Sequence, residues 1–168
     1  MFCVGDVVLY TTYGICKITD QIKRLFHGAE SEYYVLVPLS ESNTQLTIPV
    51  SNPMTLERLH GLLNQKDIVE ITNQIPYLEA YWIDNENERK KEFSDIIRSG
   101  DRVKTLRVIK SIKYHQQSLI GKNRKLHACD EAAMKEATKL IVDEFSYVLQ
   151  IDKEDVQDKI RTEMSKEF

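Results

Sequence analysis

Cysteine is scarce in this 168-residue chain: Cys3, Cys16 and Cys129 are odd in number, far apart and without a CxxC pair. That pattern excludes a disulfide framework and a structural zinc site, and it predicts thiols in a reducing compartment. The six glycines are scattered, so no glycine-rich phosphate loop is present. The four histidines, His27, His60, His115 and His127, are isolated, and His127 beside Cys129 is too few ligands for a metal. No Ser/His/Asp or Cys/His constellation can be argued from spacing. The expectation is a protein with no catalytic activity, no cofactor and no metal. No apolar run approaches bilayer length, and the N-terminus opens directly into a strand pattern without a leader-like region. A cytoplasmic location is expected.

A hydrophobic content of 42% with 29% charged residues predicts a folded globular chain, large enough for one ordinary domain or two small ones. The first fifty residues carry short β-branched and aromatic runs: Val7–Tyr10, Ile15–Lys23, Tyr33–Val37 and Gln45–Pro49. Turn residues break them, among them the hairpin connection Leu25-Phe26-His27-Gly28-Ala29 and the polar stretch Ser40–Asn43. Pro38 and Pro49 cannot donate ladder hydrogen bonds and mark strand ends. The fold class is α+β: a small N-terminal Tudor/SH3-like β-barrel followed by an all-α C-terminal domain. A last short strand is possible before the first helix.

Beyond Met54 the pattern turns helical. Thr55 is placed to cap a short helix over Leu56–Leu63, and Lys66–Ile75 is a second short stretch stopped by Pro76. Residues 76–85 read as the hinge, which holds Tyr77 and Trp82 and is no flexible tether. Four helices are expected after it. The first covers Asn85–Arg98 and ends at Ser99-Gly100; the second runs from the cap Asp101 to Gln117. The third spans Asp130–Leu149 with the apolar stripe Met134, Ala137, Ile141, Phe145 and Val148. The fourth starts at Asp152, with Val156, Ile160 and Met164 inward. Met134 and Met164 read as core filler. The expected division is 1–54, a linker over 55–80, and 81–168.

The net charge of −3 is unevenly spread. Residues 86–125 hold twelve Lys and Arg against five Asp and Glu, or +7, which leaves −10 for the remainder. Such a block points to a polyanion on one face or to a basic, solvated helix surface, and the total charge does not choose between them.

The N-terminal pattern resembles the CarD/CdnL family of bacterial RNA-polymerase-binding transcription regulators. The residues that carry the likeness are Phe2-x-Val4-Gly5-Asp6-x-Val8-x-Tyr10, Gly14, Gly28-x-x-x-Glu32-Tyr33-Tyr34-Val35-Leu36 and Leu46-Thr47-Ile48-Pro49. Ser99-Gly100-Asp101 and the long helix from Ala132 to Leu149 extend it over nearly the whole chain. The resemblance implies a Tudor-like domain that binds the RNA polymerase β subunit, a domain type also present in the transcription-repair coupling factor. It further implies a helical domain contacting promoter DNA at the upstream edge of the bubble, which stabilises the open complex. On the polymerase side it points to Arg24 and to Thr47, Ile48 and Pro49, with Thr47 where relatives carry an arginine.

On the DNA side the resemblance points to Trp82, which relatives use as a minor-groove wedge. The arginine pair and tyrosine that follow closely in relatives are displaced here. Arg89-Lys90-Lys91 comes seven or more positions later, and Phe93 is the nearest aromatic. The competing role for Trp82 is a packing anchor beside Tyr77 and Tyr81. Arg89, Lys90 and Lys91 are the candidates for phosphate contacts, extended by Lys122, Arg124 and Lys125. Relatives also have basic residues where this chain reads Asp130-Glu131-Ala132-Ala133, so those contacts do not transfer. Two other readings compete: a protein-interaction adaptor on the polymerase with no DNA role, and an RNA-binding barrel. The acidic residues Asp6, Asp20, Glu30, Glu32 and Glu41 oppose the second.

Overall fold

The computed structural model describes residues 2–26 and 28–166, without the Phe26 side chain. The chain forms two compact units, 1–62 and 63–168.

The first unit is one antiparallel sheet of β1 (Val7–Tyr10), β2 (Gly14–Phe26), β3 (Ala29–Pro38), β4 (Leu46–Pro49) and β5 (Leu59–Gly61), in the order β4-β3-β2-β1-β5. β2 and β3 pair along their length to Phe26↔Ala29, with Gly28 at φ 81 in the turn. His27 of the expected hairpin connection lies outside the described residues. A register shift between Ile18 and Asp20 bends the long β2. Alternation sets the core. Val8, Cys16, Ile18, Tyr34, Leu36, Ile48 and Leu59 are buried together, and the Tyr34 hydroxyl donates to the Phe2 carbonyl at 2.9 Å.

The expected closed barrel is corrected to an open sheet. β4 and β5 are its edges, and no pairing joins them among the described residues. β4 stops at Pro49, which has no N–H to give, and β5 is three residues long. The helix expected over Leu56–Leu63 is also corrected. A single turn, α1 (Pro53–Leu56), is capped by Asn52, whose side chain accepts from the Met54 amide at 3.0 Å. The chain then becomes β5, which pairs antiparallel with β1 through Tyr10↔Leu59 and Val8↔Gly61. Pairing with an open strand and burial of Leu59 outweigh local helical preference.

The second unit holds α2 (Gln65–Gln74), a 3-10 turn (Ile75–Tyr77), α3 (Glu86–Ser99), α4 (Arg102–Ile120), α5 (Ala128–Leu149) and α6 (Lys153–Met164). Asn64 and Asp67 form a capping box at the start of α2. Asp101 caps α4 as expected, accepting from the Lys104 amide at 3.0 Å. Asp152 occupies the cap position of α6 but makes no side-chain capping bond. The inward residues Ala137, Ile141, Phe145, Val156, Ile160 and Met164 are buried.

The stretch 76–85 is not a hinge. It is tied along α4: the Lys110 ammonium donates to the carbonyls of Ile75 and Pro76 at 3.1 and 2.9 Å. Arg107 donates to the Glu79 carbonyl at 2.8 Å, and the Tyr81 amide donates to Ser111 Oγ at 3.0 Å. The expected 55–80 linker therefore divides at 62/63, its second half belonging to the helical unit.

Gly100 closes α3 in the left-handed region at φ 67 and is buried. Gly100→Ala is expected to lose about 1–2 kcal/mol of stability, the cost of a side chain in that conformation. An unchanged denaturation midpoint would contradict it.

Candidate functional site

α3 sorts its basic triplet by geometry. Arg89, Phe93 and Ile97 recur at helical spacing and are all buried, with Arg89 2% exposed. Successive residues turn by about 100°, so Lys90 flanks this buried face and Lys91 points away from it. Both lysines are exposed.

Arg89 was expected among the phosphate contacts, and the structure corrects this. Its Nε and Nη2 donate to the two carboxylate oxygens of Asp130 on α5 at 2.8 and 2.9 Å. Its Nη1 donates to the Ile83 carbonyl at 2.7 Å and the Asp84 carbonyl at 3.3 Å. The Asp130 carboxylate holds the guanidinium above its ordinary pKa, against the effect of burial. A guanidinium with its donors engaged in a dry site is an organiser of α3, α5 and the strap before α3, not a surface cation.

Trp82 stands on this organiser. The Arg89 guanidinium carbon is 4.4 Å from the indole centroid, the His115 ring stacks on the indole at 3.6 Å and 8°, and Phe93 meets it edge-on at 6.2 Å. Tyr81 approaches Phe93 edge-on from the same strap, while Arg107 lies over the Tyr81 ring. Below them Phe93, Val108 and Ile112 form a buried cluster that Leu126 and Met134 also touch. α3 begins four residues after Trp82, yet the indole has the contacts of an anchor. It remains half-buried.

The basic loop 121–127 belongs to the same neighbourhood. Lys122 acts electrostatically on His115, Leu126 packs on the Phe93 cluster, and His127 Nδ1 is 3.2 Å from Glu86 at the start of α3. Glu86 is one helical turn before Lys90, which places Lys90 on the side of α3 that faces this loop. Trp82 and Lys122 both neighbour His115, the exposed Arg124 and Lys125 lie on the same loop as Lys122, and Lys90 stands exposed one turn after Glu86. Other cations of the basic block serve the fold. Arg102 makes two bonds of 2.8 and 2.7 Å to the fully buried Glu144, whose Oε1 also accepts from the Leu63 amide at 3.0 Å.

Burial and the neighbouring Arg89 hold the His115 imidazole below the ordinary histidine range; Lys122 adds to this, while Asp130 and Asp84 oppose it. The unfolded chain therefore takes up this proton first as pH falls. The contribution of His115 to stability is intact above about pH 6.5 and is lost as pH falls through the lower folded value. His115→Gln should flatten the acid side of the stability–pH profile, read by urea titration at several pH values. Burial, together with the Asp130 and Glu86 carboxylates, pushes the Cys129 thiol up, away from nucleophilic chemistry.

Among the described residues no group of three His, Cys, Asp or Glu is placed to hold a metal, and no helix is long and apolar enough to cross a membrane.

In the first unit, Arg24 pairs with Ser31, Thr47 with Val35 and Pro49 with Tyr33. These β3 residues alternate with the buried Tyr34 and Leu36, so Arg24, Thr47 and Pro49 share the outward face. Ile48 pairs with Tyr34 on the core side and is 6% exposed; it supports the strand and does not present itself to a partner.

Sequence reasoning missed Asp130 and Glu144 as partners. Asp130 lies four residues before Met134 on the apolar stripe of α5, and an acid on a buried stripe calls for a buried cation.

Two family models match the chain. The CarD-like/TRCF RID domain covers residues 2–60, and the CarD C-terminal domain covers residues 81–161. No curated protein matches it.

Proposed function

Since the chain belongs to the CarD/CdnL family and is an RNA-polymerase-interacting transcription regulator, we propose that it bridges the polymerase β subunit and promoter DNA and stabilises the open complex. The observation that carries this reading is the match between architecture and family segments. One family domain falls within each compact unit, so each contact has its own body.

In this reading the Tudor-like first unit docks through its outward face and the exposed edge of β4, using Arg24, Thr47 and Pro49. Edge pairing and apolar contact take over the part that an arginine at Thr47 would play. The second unit meets the duplex at the upstream edge of the bubble. Lys90, Lys122, Arg124 and Lys125 contact phosphates there, and Lys91, across α3, contributes less. Trp82 supplies the apolar wedge. Anchor and wedge are compatible roles, because a ring that props a base step must be braced from behind. His115, Phe93 and Arg89 provide that brace. The site reads no sequence, and its affinity for DNA is low until the polymerase holds it nearby. Such a regulator acts in the cytoplasm and by binding alone.

The test uses the full chain with polymerase and a promoter fragment. Open complexes challenged with competitor should live longer in its presence. Arg24→Glu with Thr47→Glu, both at exposed positions, should weaken polymerase binding by about tenfold or more through misplaced charge. Retained polymerase binding with unaltered complex lifetime would favour an adaptor with no DNA role.

A further inference from the structure

A cavity of about 280 Å³ lies among α4, α5 and α6, and it shares only Met134 with the cluster under Trp82. Ile109, Met134, Ile141, Ile160 and Met164 form its apolar walls. Two cations line it as well, Lys113 from α4 and Arg161 from α6. Lys113 is half-buried and has no carboxylate partner among the described residues. Arg161 gives one nitrogen to Asp158 at 2.8 Å and keeps Nε and Nη2 for other acceptors. Both side chains line the same cavity, and burial and Arg161 together hold the Lys113 ammonium below its ordinary pKa. The Thr138 hydroxyl oxygen is buried behind the wall and is not open to the cavity. Thr138 lines both this cavity and a wider groove beside it, with Met134 and Val142.

These features describe a ligand by its chemistry. An apolar chamber of this size accepts an aliphatic or aromatic group, near the lower limit of small-molecule sites. Two cations lining one cavity without a shared acid repel each other, and an anion between them removes that cost. A dication or a sugar would leave the apolar walls unused. We infer that the cavity binds a small amphiphilic carboxylate, its tail against the isoleucines and methionines and its carboxylate between Lys113 and Arg161. The site is independent of the polymerase and DNA contacts, so its test stands apart from theirs.

Decanoate is the probe, added to the full-length protein below its micelle concentration and followed by methyl NMR. The methyl signals of Met134, Ile141 and Ile160 are expected to shift and saturate. Decanol, with the same tail and no charge, should bind about tenfold more weakly or worse, as should decanoate to the Lys113→Gln/Arg161→Gln double variant. Neither substituted side chain is fully buried, so the variant should fold, and its own unshifted spectrum checks this. Three results would overturn the inference: no saturable shift, equal binding of decanol, or undiminished binding by the folded double variant. So would methyl shifts that depend on protein concentration without decanoate, which mark the cavity as a contact between copies.

Discussion

Arg89→Ala should destabilise the helical unit by about 3–5 kcal/mol, because it strands the buried Asp130 carboxylate without its cation. Asp130 is 1% exposed and Arg89 2%, so water cannot replace the lost partner. The substitution also releases the Ile83 and Asp84 carbonyls and removes the guanidinium beside Trp82. Trp82 is the chain's only tryptophan, so its fluorescence during urea unfolding reports on this unit directly. The expected result is a midpoint lower by roughly 1–5 M urea, given a slope of about 1–3 kcal/mol per molar. Arg89→Lys should recover little, because an ammonium cannot make the fork-shaped pair with a carboxylate. Removing both charges with apolar side chains of similar volume should recover much of the loss. A loss below about 1 kcal/mol in Arg89→Ala would refute the organising role and return Arg89 to the surface.

The second large effect concerns binding. Replacing Lys90, Lys122, Arg124 and Lys125 together with glutamine should leave the fold unchanged, since all four are exposed. Each phosphate contact contributes about 0.9 to the salt slope of binding to duplex DNA. Four lost contacts should therefore reduce the slope by roughly 3–4, with a loss of open-complex lifetime of about tenfold or more. The loss should be uniform across promoter sequences, as backbone contacts dictate. Lys91→Gln alone should have the smallest effect of the basic substitutions, since it leaves α3 on the side opposite Arg89. An unaltered salt slope in the quadruple variant would sink the proposed DNA contact while leaving polymerase binding intact. The two experiments separate the two kinds of cation: Arg89 is read in stability, the exposed four in salt dependence.

Elements with local signals are legible in the residues themselves. Alternating β-branched and aromatic residues mark β1 to β4, and the caps at Asp101 and Gly100 mark the ends of helices. The stripe Ala137, Ile141, Phe145 places the inner face of α5. The errors concern partners distant in sequence. Leu59 becomes a strand residue only because β1 offers an unpaired edge. The strap 76–85 looks like a linker until Arg107, Lys110 and Ser111 hold it to α4. Whether the sheet closes depends on the reach of two short edges, which composition does not record.

For the site the division is sharper. The one-dimensional pattern determined that a basic segment and a lone tryptophan sit in the helical half, because residue type and spacing are properties of the chain itself. Only tertiary structure decided which cations belong to the surface. Arg89 and Lys90 are adjacent in the chain and alike in charge, yet one is interior and the other exposed. A helix turns about 100° between them, and Asp130, forty-one residues away, waits on one side alone.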